Sequence, residues 1–213
     1  FVFLLCCAVN LLLTSCVRQK YVVMDMVHHN PGEAMTESKF LDPSFLKKNE
    51  YGAKVFFLFE AAQFGIDWKS FDPSLFPDTT EAGRWVAEKA EIIHKKYDAA
   101  KKEDLQVYCM LDMLVLPSLL VEKHRTELTN EQGKLDISKP YTQLCIRELM
   151  KEMFETFPQL DGLVIRTGET YLHDAPYYVG NHPVQNGMYD HITLINLLRE
   201  EVCERRNKKL FYR

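Results

Sequence analysis

The chain has little of what several large protein classes depend on. Its formal net charge is −4 and it carries no basic run or stripe, so the electrostatic footprint of a nucleic-acid binder is missing. No acidic tail offers a charged binding arm. Glycine is sparse, with nine residues in 213, and no G-x-G-x-x-G turn follows any apolar run. That disfavours a dinucleotide-binding Rossmann domain. Beyond the first sixteen residues only Cys109, Cys145 and Cys203 remain. They are widely spaced and lie in apolar-periodic segments, which fits neither a disulfide framework nor a zinc site and predicts buried free thiols. No internal repeat, low-complexity tract or interdomain linker interrupts the chain.

What is there is globular. The composition is 46% hydrophobic and 26% charged, enough for one sizeable core. Aromatics reach 12%, which permits a ligand-stacking surface without requiring one. The opening "FVFLLCCAVNLLLTSC" is uncharged, mostly apolar as far as Leu13, and too short for a comfortable transmembrane helix. It reads as the apolar region of a signal peptide. "LTSC", Leu13 to Cys16, resembles a bacterial lipobox, which implies lipid on Cys16 and a bacterial cell-envelope location, periplasmic or cell-surface. Residues 1–16 are therefore expected to be a leader, and residues 17–213 the folded domain.

Strand and helix patterns alternate through that domain. "YVVMDMV" (Tyr21 to Val27), "KVFFLFE" (Lys54 to Glu60), "LQVYCML" (Leu105 to Leu111) and "LDGLVIR" (Leu160 to Arg166) read as strands one to four, and "LFYR" opens a fifth. Between them, "DPSFLKKNEYG" predicts a short helix and "EAGRWVAEKAEIIHKKYDAAKK" a long one with Trp85, Ala90, Ile93 and Tyr97 inward. "YTQLCIRELMKEMFETF" places Leu144, Leu149, Met153 and Phe157 inward, and Asp190 is the expected cap of the last helix. Near-continuous apolar strands indicate a parallel sheet covered on both faces. Long polar loops follow the strands and short connections follow several helices. Together these predict an α/β fold, the N-terminal part of a (β/α)8 TIM barrel with about five parallel strands and flanking helices. A whole barrel typically takes about 250 residues, so an incomplete one, with open sheet edges and no activity by itself, is expected.

Catalytic groups of such barrels project from the C-terminal ends of different strands. Here strand one leads to Asp25, His28, His29 and Asn30. Strand two ends in Glu60 with Gln63 beyond, strand three in Asp112, and strand four in Arg166 and Glu169. Each residue has a structural alternative: Asp112 can cap a turn, Glu60 can pair with Arg166, and the histidines can be ordinary loop residues. Their recurrence at one end of the sheet points to a site. Carboxylates with a few donors and many aromatics suit glycoside hydrolysis, in which one acid protonates the leaving oxygen and a second carboxylate activates water or attacks the sugar. Trp68, Tyr171, Tyr177 and Tyr178 lie in the expected mouth loops and could offer flat faces to sugar rings.

"GLVIRTGE", Gly162 to Glu169, resembles the fourth-strand segment of the α-glucuronidases that act on glucuronoxylan, with a spacing that differs by about one residue. The resemblance implies that Glu169 is the general acid and that Arg166 replaces a lysine in holding a uronic carboxylate, a task suited to a guanidinium. From Tyr21 onward the chain is similar to a group of bacterial proteins with glycosidase-like barrels, through "MDMVHHNPGE" and "GETYLHDAPY". That likeness implies a glycoside hydrolase-like role without fixing a substrate; a plant or microbial polysaccharide or oligosaccharide is the expected substrate class. Arg166, His28, His29, Asn30, Glu60, Asp112, Tyr171 and His173 are the candidate substrate-binding residues. No cofactor or metal is expected. Two other readings stand beside this one. A metal-dependent barrel hydrolase could draw ligands from His28, His29, Glu60 and Asp112, although adjacent histidines in an extended segment point in opposite directions. A non-catalytic glycan-binding surface lipoprotein would keep the aromatics and Arg166 and need no acid.

Overall fold

The computed structural model describes residues 23–25, 38–57, 60–166, 170, 172, 175–180 and 187–212. The main sheet is built from β1 (Met24–Asp25), β2 (Ala53–Phe56), β3 (Gln106–Asp112), β5 (Leu160–Arg166) and β7 (Lys209–Tyr212). They lie in the order β1-β2-β3-β5-β7 and every pairing is parallel. Each new strand joins beside the last, with no reversal of order. That is the singly wound arrangement of a TIM barrel, not the doubly wound order with a switch point. A second, two-stranded antiparallel sheet pairs β4 (Val115–Pro117) with β6 (Tyr178–Gly180). These three-residue runs are too short to show a period in the sequence.

The helices are α1 (Pro43–Lys48), α2 (Glu81–Lys102), α3 (Ser118–Lys123), α4 (Arg125–Leu128), α5 (Pro140–Thr156) and α6 (Met188–Leu198). The last runs on into a π-helical turn, Arg199–Glu204. Local chemistry starts them. Asp42 caps α1 by accepting the Ser44 N–H at 2.9 Å, with Pro43 at the first helical position. Thr80 caps α2 by accepting the Gly83 N–H at 3.0 Å, and Lys101 and Lys102 sit where the helix dipole favours cations.

Alternation along the strands divides the two faces of the sheet. Phe56, Val107, Cys109, Leu111, Leu163 and Ile165 join Val86, Ile93 and Tyr97 of α2 and Cys145, Leu149 and Met153 of α5 in the main core. Each large side chain buried there is worth about 1.5–3 kcal/mol of transfer free energy. Ala53, Val55, Tyr108, Met110 and Val164 form a separate cluster on the other face, with Met24 and Phe57 packed against it. That cluster contains strand and strand-end residues alone, as the inside of a barrel does. Burial pushes the thiols of Cys109 and Cys145 up to about 12, so both stay protonated at neutral pH. Cys203 is only half-buried.

One irregularity sets the register of β5. Val107 pairs with Leu160 and Tyr108 with Gly162, so Asp161 is an extra residue, a β-bulge. Its carboxylate accepts the Val107 N–H at 2.7 Å and an ammonium hydrogen of Lys101, which ties the bulge to α2. Gly162 follows because nothing larger fits: a Cβ there would lie 2.0 Å from the Lys209 carbonyl oxygen. The bulge shifts which residues of β5 share a face with β3, and so sets where Arg166 stands.

Three local expectations are corrected. Leu144 is 42% exposed; the inward stripe of α5 runs through Cys145, Ile146, Leu149, Met150 and Met153, and a helical neighbour points about 100° away. Asp190 does not cap α6, which begins at Met188 after Gly187 at φ 67°; Asp190 is buried in the first turn. Strand two stops at Phe56 instead of reaching Glu60.

Candidate functional site

Asp112 is the last residue of β3 and Arg166 the last of β5, and the two are register partners across the parallel pair. Asp112 is in phase with Tyr108 and Met110, and Arg166 with Val164, so both share the face opposite the helices. The guanidinium donates twice to the carboxylate, Nε to Oδ1 at 2.8 Å and Nη2 to Oδ2 at 2.7 Å. Their side chains are only 9% and 13% exposed. This is a bidentate, largely dehydrated ion pair, the strongest geometry such groups adopt. The strand alternation that buries Met110 and Val164 is what delivers the two charges to one point.

The pair lines a small space of about 10 Å³ together with Phe57, Ala61, Gln63, Phe64 and Met110. Gln63 lies in the 3-10 turn Ala62–Gly65 that follows β2. The turn is clamped on several sides. The Ala62 N–H meets Cys109 Sγ at 3.2 Å, and the Tyr178 hydroxyl donates to the Gln63 carbonyl at 3.3 Å. Phe64 packs edge-on against Tyr178 with centroids 5.0 Å apart. Gly65 is pressed so closely that a Cβ would lie 2.7 Å from Phe157. In the sequence Gln63 is only the amide that lies beyond Glu60. Its signal was a lone amide among apolar neighbours in "AAQFG".

Glu60 is placed elsewhere. Its carboxylate pairs with Lys96 of α2, and its carbonyl accepts the Tyr97 hydroxyl at 3.0 Å. It lines a cavity of about 160 Å³ with Lys54, Phe56 and Lys96, on the helix side of the sheet. Glu60 stands four residues after Phe56, whose side chain faces the helices, whereas Arg166 shares the opposite face, so strand alternation gives the two no reason to meet. The alternative salt bridge from Glu60 to Arg166 is thus corrected: Arg166 pairs with Asp112. Trp68 and Tyr178, expected in open mouth loops, are core residues. Trp68 is 0% exposed although its backbone sits at φ 58°, a left-handed conformation that a bulky residue adopts only where packing compels it. Tyr178 is enclosed by Phe64, Phe76 and Trp85. Tyr177 is half-buried beside a cleft of about 360 Å³ with Pro117, Leu119 and Pro176.

His28, His29, Asn30, Glu169, Tyr171, His173 and Cys16 lie outside the described residues. Among the described residues no group of three His, Cys, Asp or Glu side chains is placed to hold a metal ion, and no helix is long and apolar enough to cross a membrane.

No protein-family model matches the chain, and no curated protein is similar enough to it to count as a match. Several solved structures are similar to it. The galactosidase domain of an alpha-galactosidase-sucrose kinase is 14% identical with a TM-score of 0.50, over 92% of this chain and 27% of that one. A noncanonic maltogenic alpha-amylase from Thermotoga neapolitana is 13% identical, TM-score 0.48, over 90% and 44%. A GH138 enzyme targeting pectin rhamnogalacturonan II is 14% identical, TM-score 0.40, over 70% and 18%. The chain thus spans less than half of each. The first of these likenesses supports the barrel-type α/β fold read from the strand order.

Chemically, the pair offers a fixed, nearly neutral polar floor. With both carboxylate oxygens held by the guanidinium, Asp112 suits binding and positioning more than base catalysis. Removing one partner strands the other charge. Asp112→Ala is expected to destabilise the protein by about 3–5 kcal/mol in chemical unfolding. Glu60→Ala should cost clearly less, because Lys96 is 43% exposed and can return to water. Equal losses from the two variants would mean that the Asp112–Arg166 pair is not effectively buried.

Proposed function

We propose that the chain is the strand one to strand five portion of a glycoside-hydrolase-type barrel that binds a carbohydrate at the C-terminal ends of its strands. The observation that carries this reading is the Asp112–Arg166 pair on the inner face, at the end of the sheet where such barrels work. Likeness of fold to a galactosidase domain supports the same class without fixing a sugar. The substrate class is a plant or microbial polysaccharide or oligosaccharide, with uronic-acid-containing glycans the first to try.

In this proposal Glu169, three residues beyond Arg166, is the general acid. That role requires it to be protonated when the glycosidic oxygen arrives. Two of the guanidinium N–H groups of Arg166 are committed to Asp112, so its part is to shape and polarise the floor beside the acid. The partner carboxylate, base or nucleophile, comes from strands outside this chain. His28, His29, Asn30, Tyr171 and His173 supply hydroxyl contacts. The uncharged leader and "LTSC" support a lipid anchor on Cys16 and an envelope location.

The test of the chemistry is Glu169→Gln in the full-length protein, assayed on glucuronoxylan oligosaccharides. Turnover should fall by about 10²–10⁴ while oligosaccharide binding persists. Unchanged turnover would remove Glu169 from the mechanism. A wild type that binds glycans and cleaves none would favour the non-catalytic glycan-binding lipoprotein. For the anchor, mass spectrometry of the mature N-terminus should find an S-diacylglyceryl group on Cys16, with or without an acyl chain on its amine; an unmodified Cys16 in the membrane-extracted protein would refute it.

A further inference from the structure

Gln63 is 3% exposed, and its side-chain oxygen Oε1 is buried with no hydrogen-bond partner among the described residues. It lines the same small space as Asp112 and Arg166. A buried amide oxygen left without a donor costs about 1–3 kcal/mol, so native structures seldom keep one unless something supplies the donor. The turn that carries it does not relax the problem away. Cys109 Sγ, the Tyr178 hydroxyl, Phe64 and the crowded Gly65 all hold the backbone in place. The position is therefore built, and its acceptor is presented at the C-terminal end of the sheet next to a fixed ion pair.

The size of the space limits what can serve as donor. At about 10 Å³ it admits roughly one oxygen atom, the volume at which a cavity begins to take a single water. A carboxylate, phosphate or ring does not fit there as a whole. Its floor is polar and its side walls are apolar, Phe57, Phe64 and Met110, which exclude further water. A single O–H group meets these conditions as the donor that Gln63 Oε1 lacks.

We propose that Gln63 is a specificity-determining residue whose Oε1 accepts a hydrogen bond from one hydroxyl group seated beside the Asp112–Arg166 pair: an ordered water in the ligand-free protein, and a sugar hydroxyl that displaces it in the complex. The second half rests on the carbohydrate reading above; the first half does not. A displaced water of this kind would make recognition sensitive to the presence and stereochemistry of one hydroxyl, since an analogue lacking it leaves Gln63 unpaired.

The test is diffraction at high resolution from the full-length protein, alone and soaked with glucuronic acid or galactose, together with unfolding of Gln63→Met. One ordered oxygen within hydrogen-bonding distance of Gln63 Oε1 is expected in the ligand-free crystal. Gln63→Met, similar in volume and without the amide, should lower Tm by about 2–4 °C. No ordered oxygen there, or a Tm that rises when the amide is removed, would overturn the proposal. In the soaked crystals a sugar oxygen should replace the water, and Gln63→Met should weaken sugar binding about tenfold. A sugar bound at the strand ends with the water undisturbed would overturn the displacement. If neither sugar binds anywhere, the carbohydrate reading falls and the displacement with it, while the ligand-free crystal still decides the hydroxyl site.

Discussion

The carboxylate of Asp112 and the guanidinium of Arg166 meet through two hydrogen bonds across neighbouring parallel strands, with little water near either. Much else in the structure is arranged so that they can. Two charges on facing strands meet only if both strands are in register and both side chains point to the same face. The bulge at Asp161 supplies the register, Gly162 lets β7 pass close by, and Lys101 holds the bulge to α2. A slip of one residue would turn Arg166 into the helix layer, where a charge without a partner is costly. The pair is weak as a source of net stability, yet strict as a condition on the fold.

Around it the molecule separates two kinds of polar group. On the helix side, Glu60 with Lys96 and Asp161 with Lys101 join strand ends and bulges to α2. Arg147 links α5 to the turn after α6 through Glu200 and Glu201. These contacts brace one layer against another. On the inner side, Asp112, Arg166 and Gln63 converge where no helix packs among the described residues. That inner cluster stands at the C-terminal ends of the strands.

The fold was largely legible in the sequence because long apolar runs with short gaps constrain strands strongly. "LDGLVIR" coincides with β5 and "LQVYCML" misses β3 by one residue at each end. The site was legible only in part. Asp112 and Arg166 end strands whose alternation is intact, so their position followed from the pattern. Glu60 does not share that position: counted from β2 it falls in phase with Phe56, on the helix side, and β2 itself stops at Phe56. Trp68 and Tyr178 were misplaced because nothing local marks them as core: Tyr178 belongs to β6, a three-residue strand with no readable period, and Trp68 is buried from within a loop. Gln63 was invisible as a functional group because its meaning lies in a contact it lacks.

A double-mutant cycle across Asp112 and Arg166 tests the central claim most directly. The variants Asp112→Asn, Arg166→Gln and their combination would be compared with the wild-type full-length protein by denaturant unfolding. Coupling of about 2–3 kcal/mol is the result expected of a desolvated bidentate pair that fixes the inner end of the sheet. Additive losses within about 0.5 kcal/mol would show that the two side chains act independently and would contradict the account.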